Sequence, residues 1–181
     1  MAHIMQPYPH HLLKTIRLAD GTEVTIRPIR AADAEIEQQF VRGLSAEARY
    51  FRFMEMLREL SPLMLKQMTD IDYHDQMALV AAVMIDHKEQ LIAVARYVAL
   101  PGDESCEFAI VVGDGWQRKG LASALMRLLM ETARARGLKK MFGEVLSSNS
   151  KMLQFVDRLG FHAAMDPRDV TQMRVTRDLD A

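Results

Sequence analysis

The chain has 181 residues, of which 49% are hydrophobic and 26% charged, as in an ordinary globular domain. Its formal net charge of −1 argues against a large basic surface for nucleic acid or an anionic membrane, and no apolar run approaches the ~20 residues that span a bilayer. A single cysteine, Cys106, excludes an internal disulfide and fits a reducing compartment, so we expect a cytoplasmic protein.

The chain is predicted to form one domain behind a short start. Residues 1–11 are expected to be a flexible N-terminus without the pattern of a secretory signal. Their opening letters, MAHIM, are typical of vector-encoded residues ahead of a native start at Met5. No linker, repeat or low-complexity stretch divides the remainder, so residues 12–181 are expected to be a single domain.

The first half of the chain predicts a hairpin followed by helices. Two alternating runs flank Asp20-Gly21, a pair of residues that tolerates the positive φ of a tight turn. Helix formers fill residues 31–42. Ser45 is a candidate N-cap for a second helix, and Ser61, which precedes a proline, is one for a third.

The second half carries longer apolar runs. Two of them, separated by the polar tip HKEQ, predict another hairpin, and a third run follows it. The predicted elements are a hairpin over 76–100, a strand over 106–112, a helix over 119–136, a strand over 139–146, a helix over 150–159 and a strand over 170–179. This order predicts a mixed sheet with helices on both faces, a three-layer α/β arrangement.

The loop that leads from the strand 106–112 into the next helix has the features of an anion site. Gly120 and Ala122 let a ligand approach the backbone closely, and Arg118 and Lys119 add positive charge. The first amides of a helix have no internal partner, and the helix dipole places about half a positive charge there. These features predict a cradle for a diphosphate; the alternative is a solvated turn. The glycine spacing fits neither a Walker loop nor a dinucleotide fingerprint.

This loop matches part of a known family pattern. Residues 117–122, QRKGLA, match the Q/R-x-x-G-x-G/A motif of the GNAT acetyltransferases, and residues 148–161, SNSKMLQFVDRLGF, resemble the family's N-x-x-(A/M)…LGF helix. The resemblance covers residues 20–180 and implies the GNAT fold with a central mixed sheet. The segments TIRPIRAADAE, LSAEARYFRF, EFAIVV, WQRKGLA and SSNSKML resemble the acetyltransferase domain of bacterial protein lysine acetyltransferases that modify acyl-CoA synthetases.

The resemblance implies acetyl-CoA as a co-substrate and no metal. It assigns Val111, Val112 and Gly113 to the cofactor site, where the backbones of Val111 and Gly113 would hold the pantetheine arm. Asn149 and Met152 would flank that arm near its thiol end, although a helix cap is the simpler interpretation of Asn149. The residues expected around the diphosphate are Gln117, Arg118, Lys119, Gly120, Leu121, Ala122 and Ser123.

A candidate general base lies on the strand before the loop. Alternation puts Glu107, Ala109 and Val111 on one face, while Phe108 and Ile110 face the other way. A lysine amine has an ordinary pKa of about 10.4 and is mostly protonated at neutral pH, so its attack on a thioester needs a base. The resemblance assigns this role to Glu107; the alternative is a solvated glutamate near a strand end.

One position departs from the family pattern. Many GNAT enzymes have a tyrosine five residues before the phenylalanine of LGF, which protonates the departing thiolate, and Val156 stands there in this chain. Tyr97, Ser148, water, or no acid at all are alternatives between which the sequence does not choose. A backbone amide near Val111 is expected to meet the oxyanion.

The other reactive side chains do not form a recognisable site. Histidines such as His10, His11 and His74 lack metal-ligand spacing, and Cys106 is expected to be a small buried hydrophobe. The basic and aromatic residues within 49–53 fit a helix with one packed face better than a nucleic-acid contact. By resemblance, they border the acceptor site.

The sequence therefore predicts an N-acetyltransferase that uses acetyl-CoA to modify a primary amine, with a protein lysine, for example in an acyl-CoA synthetase, as the expected acceptor. Two alternatives stay open: an enzyme acting on a small amine (an antibiotic, polyamine or amino acid) and a non-catalytic acyl-CoA sensor. No nucleic-acid or membrane partner is expected. The sequence is compatible with a homodimer and contains no feature that demonstrates one.

Overall fold

The computed structural model describes residues 5–180, and within them the chain forms one eight-stranded sheet and five α-helices. The strands are β1 (Lys14–Arg17), β2 (Glu23–Pro28), β3 (Gln76–Ile85), β4 (Lys88–Ala99), β5 (Ser105–Val112), β6 (Lys140–Leu146), β7 (His162–Asp166) and β8 (Asp169–Asp178). The helices are α1 (Ala34–Gly43), α2 (Ala46–Phe53), α3 (Pro62–Thr69), α4 (Leu121–Ala135) and α5 (Ser150–Arg158). The strand order is β1-β2-β3-β4-β5-β6-β8-β7, which confirms the predicted mixed α/β sheet.

Short polar side chains fix where three helices begin. Ser45, Ser61 and Asn149 each accept a hydrogen bond from the amide three residues further on, at 3.1–3.2 Å. These bonds satisfy amides that have no partner inside the helix, so the predicted N-caps are confirmed. The second helix ends at Phe53, because Met54 adopts a φ of 56° and so leaves the helical conformation.

Strand β7 is the element that the sequence interpretation lacks. Its first four residues are exposed, so no alternation of buried and exposed side chains marks it. It forms an edge of the sheet and pairs with β8 through a tight antiparallel hairpin. Backbone pairing with a neighbour, rather than an apolar face of its own, therefore defines this strand.

Helices cover both faces of the sheet and produce three layers. On one face, called the α4 face here, Leu125 of α4 and Val156 of α5 pack with Ile110 of β5. On the other, the α1 face, Phe40 of α1 packs with Val94 of β4. Alternation along β5 thus sends neighbouring side chains into two separate cores, as the sequence predicts.

Strands β5 and β6 separate after a short parallel stretch. They pair only from Ser105 to Glu107 on β5, while the rest of β5 pairs with β4 and the rest of β6 pairs with β8. The ring of Phe108 sits beside Gly143, where an added Cβ would lie 2.7 Å from a ring carbon. A residue with a side chain at position 143 would collide with this ring. The gap between the strands opens immediately beyond this contact.

The described part of the N-terminal segment contacts the domain. The amide of Gln6 donates to the Asp72 carbonyl at 3.0 Å, and the Tyr8 hydroxyl donates to the Pro28 carbonyl at 2.8 Å. The vector-type start lies mostly in residues 1–4, outside the described residues. A domain boundary between residues 11 and 12 stays a prediction.

Candidate active site

A cleft of about 770 Å³ lies beside the free end of β5, and its walls come from both faces of the sheet. Ser123 of α4 and Phe155 of α5 line it on the α4 face. Ala48, Phe51 and Arg52 of α2, the helix that packs against β5 on the α1 face, line its other side. The separation of β5 from β6 thus connects the two faces of the sheet.

Most of the predicted cofactor residues meet in this cleft. They come from the end of β5, the loop after it and the first turns of two helices, and they are Val111, Val112, Gln117, Arg118, Gly120, Leu121, Ala122, Ser123, Asn149 and Met152. Gly113 and Lys119 do not line it. Their roles, like those of the others, stay predictions.

The loop before α4 leaves backbone amides without partners beside the cleft. Arg118 and Gly120 have φ values of 61° and 83°, a conformation that a glycine adopts without strain. Within residues 5–180, the amides of Leu121, Ala122 and Ser123 donate no hydrogen bond, since the first intrahelical bond runs to Gly120 from a later residue. Three free amides and the positive end of the helix dipole therefore lie at this part of the cleft.

Some predicted cofactor residues already have partners inside the protein. The Lys119 ammonium contacts a carboxylate oxygen of Asp20 at 3.0 Å, on the turn between β1 and β2, and lies 5.7 Å from the Trp116 ring centre. The Gly113 amide donates to the Ile92 carbonyl at 2.8 Å. We infer that Lys119 holds the loop in place and contributes charge at a distance.

The side chain of Asn149 can act both as a helix cap and as a contact to the cofactor. Its Oδ1 accepts from the amide of Met152 at 3.2 Å, as a helix cap does. Its Nδ2 is not used by that bond, so the same side chain can donate into the cleft.

Glu107 is the last residue of β5 that pairs with β6. It lies opposite Val98 on β4 and Phe142 on β6, on the α1 face of the sheet. Its carboxylate is exposed, yet packed closely enough that burial, with the nearby charge of Glu144, raises the pKa of Glu107; Arg174 and Arg52 act in the opposite direction. A carboxylate with a raised pKa accepts a proton more readily than an ordinary glutamate.

Glu107 itself does not line the cleft, whereas Arg52 of α2 does, and charged side chains of α1 and β4 lie on the same face of the sheet. Burial and the charge of Arg96 lower the pKa of Arg52 to about 10. Glu37 is 2% exposed, and one of its oxygens lies 3.7 Å from Arg96. Among the described residues its second oxygen has no hydrogen-bond partner, and burial raises the pKa of Glu37. Of these three charged groups, Arg52 acts on the Glu107 carboxylate and lowers its pKa.

The candidates for a general acid occupy different places. Val156 is 1% exposed in the core of the α4 face and has no proton to give. Tyr97 is also 1% exposed in that core, and burial raises the pKa of its hydroxyl. Ser148 is exposed on the turn before α5. None of these side chains lines the cleft.

Cysteine, metal and membrane features add no second site. Cys106 is fully buried, and burial raises the pKa of its thiol to about 12, which leaves it protonated and unreactive. In residues 5–180, no three His, Cys, Asp or Glu side chains gather as metal ligands would. None of the helices in that part of the chain is long and apolar enough to cross a membrane.

Several residues of the cleft were missed from the sequence. Phe155 and Arg158 follow Met152 at helical spacing, so they share its face of α5, and this spacing was the available signal. Asp114 also lines the cleft, and its carboxylate accepts from the Ser45 amide at 2.9 Å and from the Ser45 hydroxyl at 2.8 Å. No local sequence pattern predicts this pair of hydrogen bonds, which connects the loop to the start of α2.

The sequence pattern of the acetyltransferase (GNAT) family matches residues 44–161. An acetyltransferase of Pseudomonas aeruginosa is 40% identical over 156 residues, which cover 86% of this chain and 84% of the relative.

Two solved structures have a similar fold. The crystal structure of the GNAT domain of S. lividans PAT superposes with a TM-score of 0.85 at 30% identity, over 95% of this chain and 99% of that one. The structure of yncA from Salmonella typhimurium, solved with its cofactor acetyl-CoA, superposes with a TM-score of 0.70 at 18% identity, over 87% and 95% of the two chains. At this lower identity the likeness shows a common fold.

Proposed function

Because the chain belongs to the acetyltransferase (GNAT) family, we propose that it transfers the acetyl group of acetyl-CoA to the side-chain amine of a lysine in another protein. One observation carries this proposal: the cleft has walls on both faces of the sheet and passes the free end of β5. A thioester that enters along the α4 face would meet an amine that enters along the α1 face. The two reactants would therefore occupy one site together without exchanging places.

The cofactor would bind along β5 and the start of α4. The free amides of Leu121, Ala122 and Ser123 would donate to the diphosphate, and Arg118 would add a full charge. The backbones near Val111 would pair with the pantetheine arm. Helix N-termini bind phosphates in this way because their amides and their dipole act together.

Gly120→Ala is expected to weaken CoA binding by about tenfold or more, equivalent to about 1.4 kcal/mol or more. No atom of the fold lies within 4 Å of the added methyl, so it would project into open space next to the amides that receive the diphosphate. Isothermal titration calorimetry with CoA measures the change. Gly137→Ala is a matched control, since Gly137 ends the same helix with a φ of 84° and equally free space. Equal affinity of the two variants would contradict the assignment.

Glu107 would supply the base for the reaction. It would take a proton from the ammonium group of the acceptor, directly or through water, and the neutral nitrogen would then attack the thioester carbonyl. The new C–N bond replaces the C–S bond, the sulfur leaves as a thiolate, and the second proton of the attacking nitrogen passes to that thiolate through water. Thiols have a pKa of about 8.5, so this group leaves readily, and water can protonate it without help from a side chain at Val156.

A protein acceptor is favoured by segments such as LSAEARYFRF and SSNSKML, which resemble the acetyltransferase domain of bacterial protein lysine acetyltransferases. The test compares steady-state acetylation of a purified acyl-CoA synthetase with that of antibiotics, polyamines and free amino acids. We expect kcat/KM for the synthetase to exceed that for every small amine. A small amine with the higher value would favour the alternative enzyme, and CoA binding without any turnover would favour a sensor.

The remaining predictions concern the state of the protein in the cell. A cytoplasmic location and a homodimer stay predictions. Neither of them is needed for the cleft described above.

A further inference from the structure

Another cavity, of about 350 Å³, lies between α4, α5 and β8. Arginines from all three elements line it: Arg127 and Arg134 on α4, Arg158 on α5 and Arg177 on β8. We call this cavity the arginine groove. The three elements are far apart in the sequence, so no local motif predicts that all four arginines meet.

The arginine groove holds an excess of positive charge. Glu131 is the one carboxylate among its described lining residues, which leaves three uncompensated positive charges in a chain whose net charge is −1. Within residues 5–180, the side chains of Arg127, Arg134 and Arg158 form no ion pair and no hydrogen bond. An uncompensated cluster of this kind attracts anions.

Interaction with a helix end accounts for the positions of only two of the four arginines. Arg134 and Arg158 lie in the last turns of α4 and α5, where a cation offsets the partial negative charge of the helix end. Arg127 lies in the middle of α4, and Arg177 lies on a strand. No helix dipole accounts for these two side chains.

The arginine groove is a concave surface with one guanidinium group held in place and an apolar wall. Arg177 is half-buried, and its Nη1 donates to the Leu159 carbonyl, which fixes the direction of the guanidinium group. The apolar part of the lining consists of the buried side chains Met130, Leu159 and Leu179. Charges beside a surface from which water is partly excluded are screened less than charges in open solvent.

We propose that the arginine groove binds a phosphate monoester. Guanidinium groups match the geometry of phosphate oxygens, and pairs of parallel hydrogen bonds give them both strength and direction. Arg158 lines both the groove and the 770 Å³ cleft, so the two spaces share a wall. Two sources of this group are compatible with that arrangement: the 3′-phosphate of a CoA in the cleft, or a free phosphate-bearing molecule. The first source rests on the proposed function, and the second does not.

The test uses Arg127→Gln/Arg134→Gln, because neither arginine lines the cofactor cleft. Calorimetry compares CoA with 3′-dephospho-CoA. We expect the wild type to bind CoA about tenfold more tightly than dephospho-CoA, and this ratio to fall to about 1 in the double variant with the affinity for dephospho-CoA unchanged. The control Arg17→Gln/Arg42→Gln removes the same charge from two exposed arginines, 69% and 58% accessible, and should keep the ratio.

A second measurement identifies a free anion as the source. The melting temperature is followed with inorganic phosphate for the wild type and both double variants. Equal affinity for CoA and dephospho-CoA, with phosphate raising the melting temperature of all but the groove variant, would assign the groove to a free phosphate. Equal affinities without a groove-dependent effect of phosphate would overturn the proposal. Failure of both CoA forms to bind would refute the proposed function, and the phosphate measurement would still test the groove.

Discussion

Glu107→Gln is expected to lower kcat for acetyl transfer by about 10²–10⁴-fold, the usual contribution of a positioned general base, while the affinity for CoA stays unchanged. The amide keeps the shape of the carboxylate but does not accept a proton at neutral pH. Since Glu107 does not line the cofactor cleft, cofactor binding has no reason to change. Single-turnover rates and calorimetry with CoA measure the two quantities separately.

The dependence on pH gives this prediction a second readout. Burial and Glu144 raise the pKa of Glu107, with Arg174 and Arg52 opposing them, so wild-type activity should begin to rise at a higher pH than an ordinary glutamate would allow. Glu107→Gln should lose that rise. A profile identical to that of the wild type, at any level of activity, would remove Glu107 from the proton transfer.

Stability distinguishes loss of a base from loss of the fold. A glutamate whose folded pKa is raised destabilises the protein above that pKa, because the charged form is disfavoured there. Glu107→Gln removes this penalty, so its melting temperature at pH 7 should equal or exceed that of the wild type. Glu104→Gln is the matched control, since Glu104 is an exposed partner of Lys139 at 2.8 Å and should keep full activity.

Asp33→Asn is expected to destabilise the fold by about 1–3 kcal/mol, the usual cost of unpaired buried polar groups, because Arg27 loses its bonds to Asp33 and keeps those to Glu89. Asp33 and Arg27 are each 3% exposed and form two parallel bonds, at 2.7 and 2.9 Å. Asp33 also accepts from the Arg30 amide at 2.8 Å, so it joins β2 to the start of α1. Chemical denaturation at pH 7 measures the loss.

The Arg27–Asp33 pair makes the free energy of unfolding depend on pH. Burial alone would raise the pKa of Asp33, but the bonds from Arg27 and Arg30 hold it below its usual value. The stabilisation is therefore complete above the unfolded pKa of about 4 and is lost as the pH falls through the lower folded pKa. Asp33→Asn should lack this acid-dependent step.

A double variant tests whether the loss of stability in Asp33→Asn comes from the charge of Arg27 that is left without Asp33. Arg27→Met/Asp33→Asn removes the guanidinium that would otherwise stay buried and unpaired on one side. It should be more stable than Asp33→Asn, because replacing both members of a buried pair costs less than removing one. Glu89, the other partner of Arg27 at 2.7 Å, is 31% exposed and can be solvated. Equal or lower stability of the double variant would contradict this account.

The part of the site that could be predicted is the part that local sequence encodes. Gly120 lies between a strand and a helix, and its positive φ depends on the identity of that one residue. Asn149 caps its helix through a bond to the third residue after it. The face of β5 that carries Glu107 follows from alternation along a single strand. Each of these signals spans only a few residues.

Other features depend on contacts between distant residues. Lys119 pairs with Asp20, 99 positions earlier, and does not line the cleft. Its position in the loop motif and its charge predict the opposite. The exposed edge strand β7 has no apolar pattern of its own. The arginine groove gathers side chains from α4, α5 and β8, which meet only when the sheet is complete.

By itself, the sequence determined the kinds and order of the elements other than β7, and the loop that opens α4, because periodicity, caps and turns are properties of neighbouring residues. Only the tertiary structure decided where β5 and β6 part, with Phe108 against Gly143 and the cleft open beyond them. That separation depends on strand register and on packing across the sheet. Both are set by residues far apart in the chain, so no short stretch of sequence contains them.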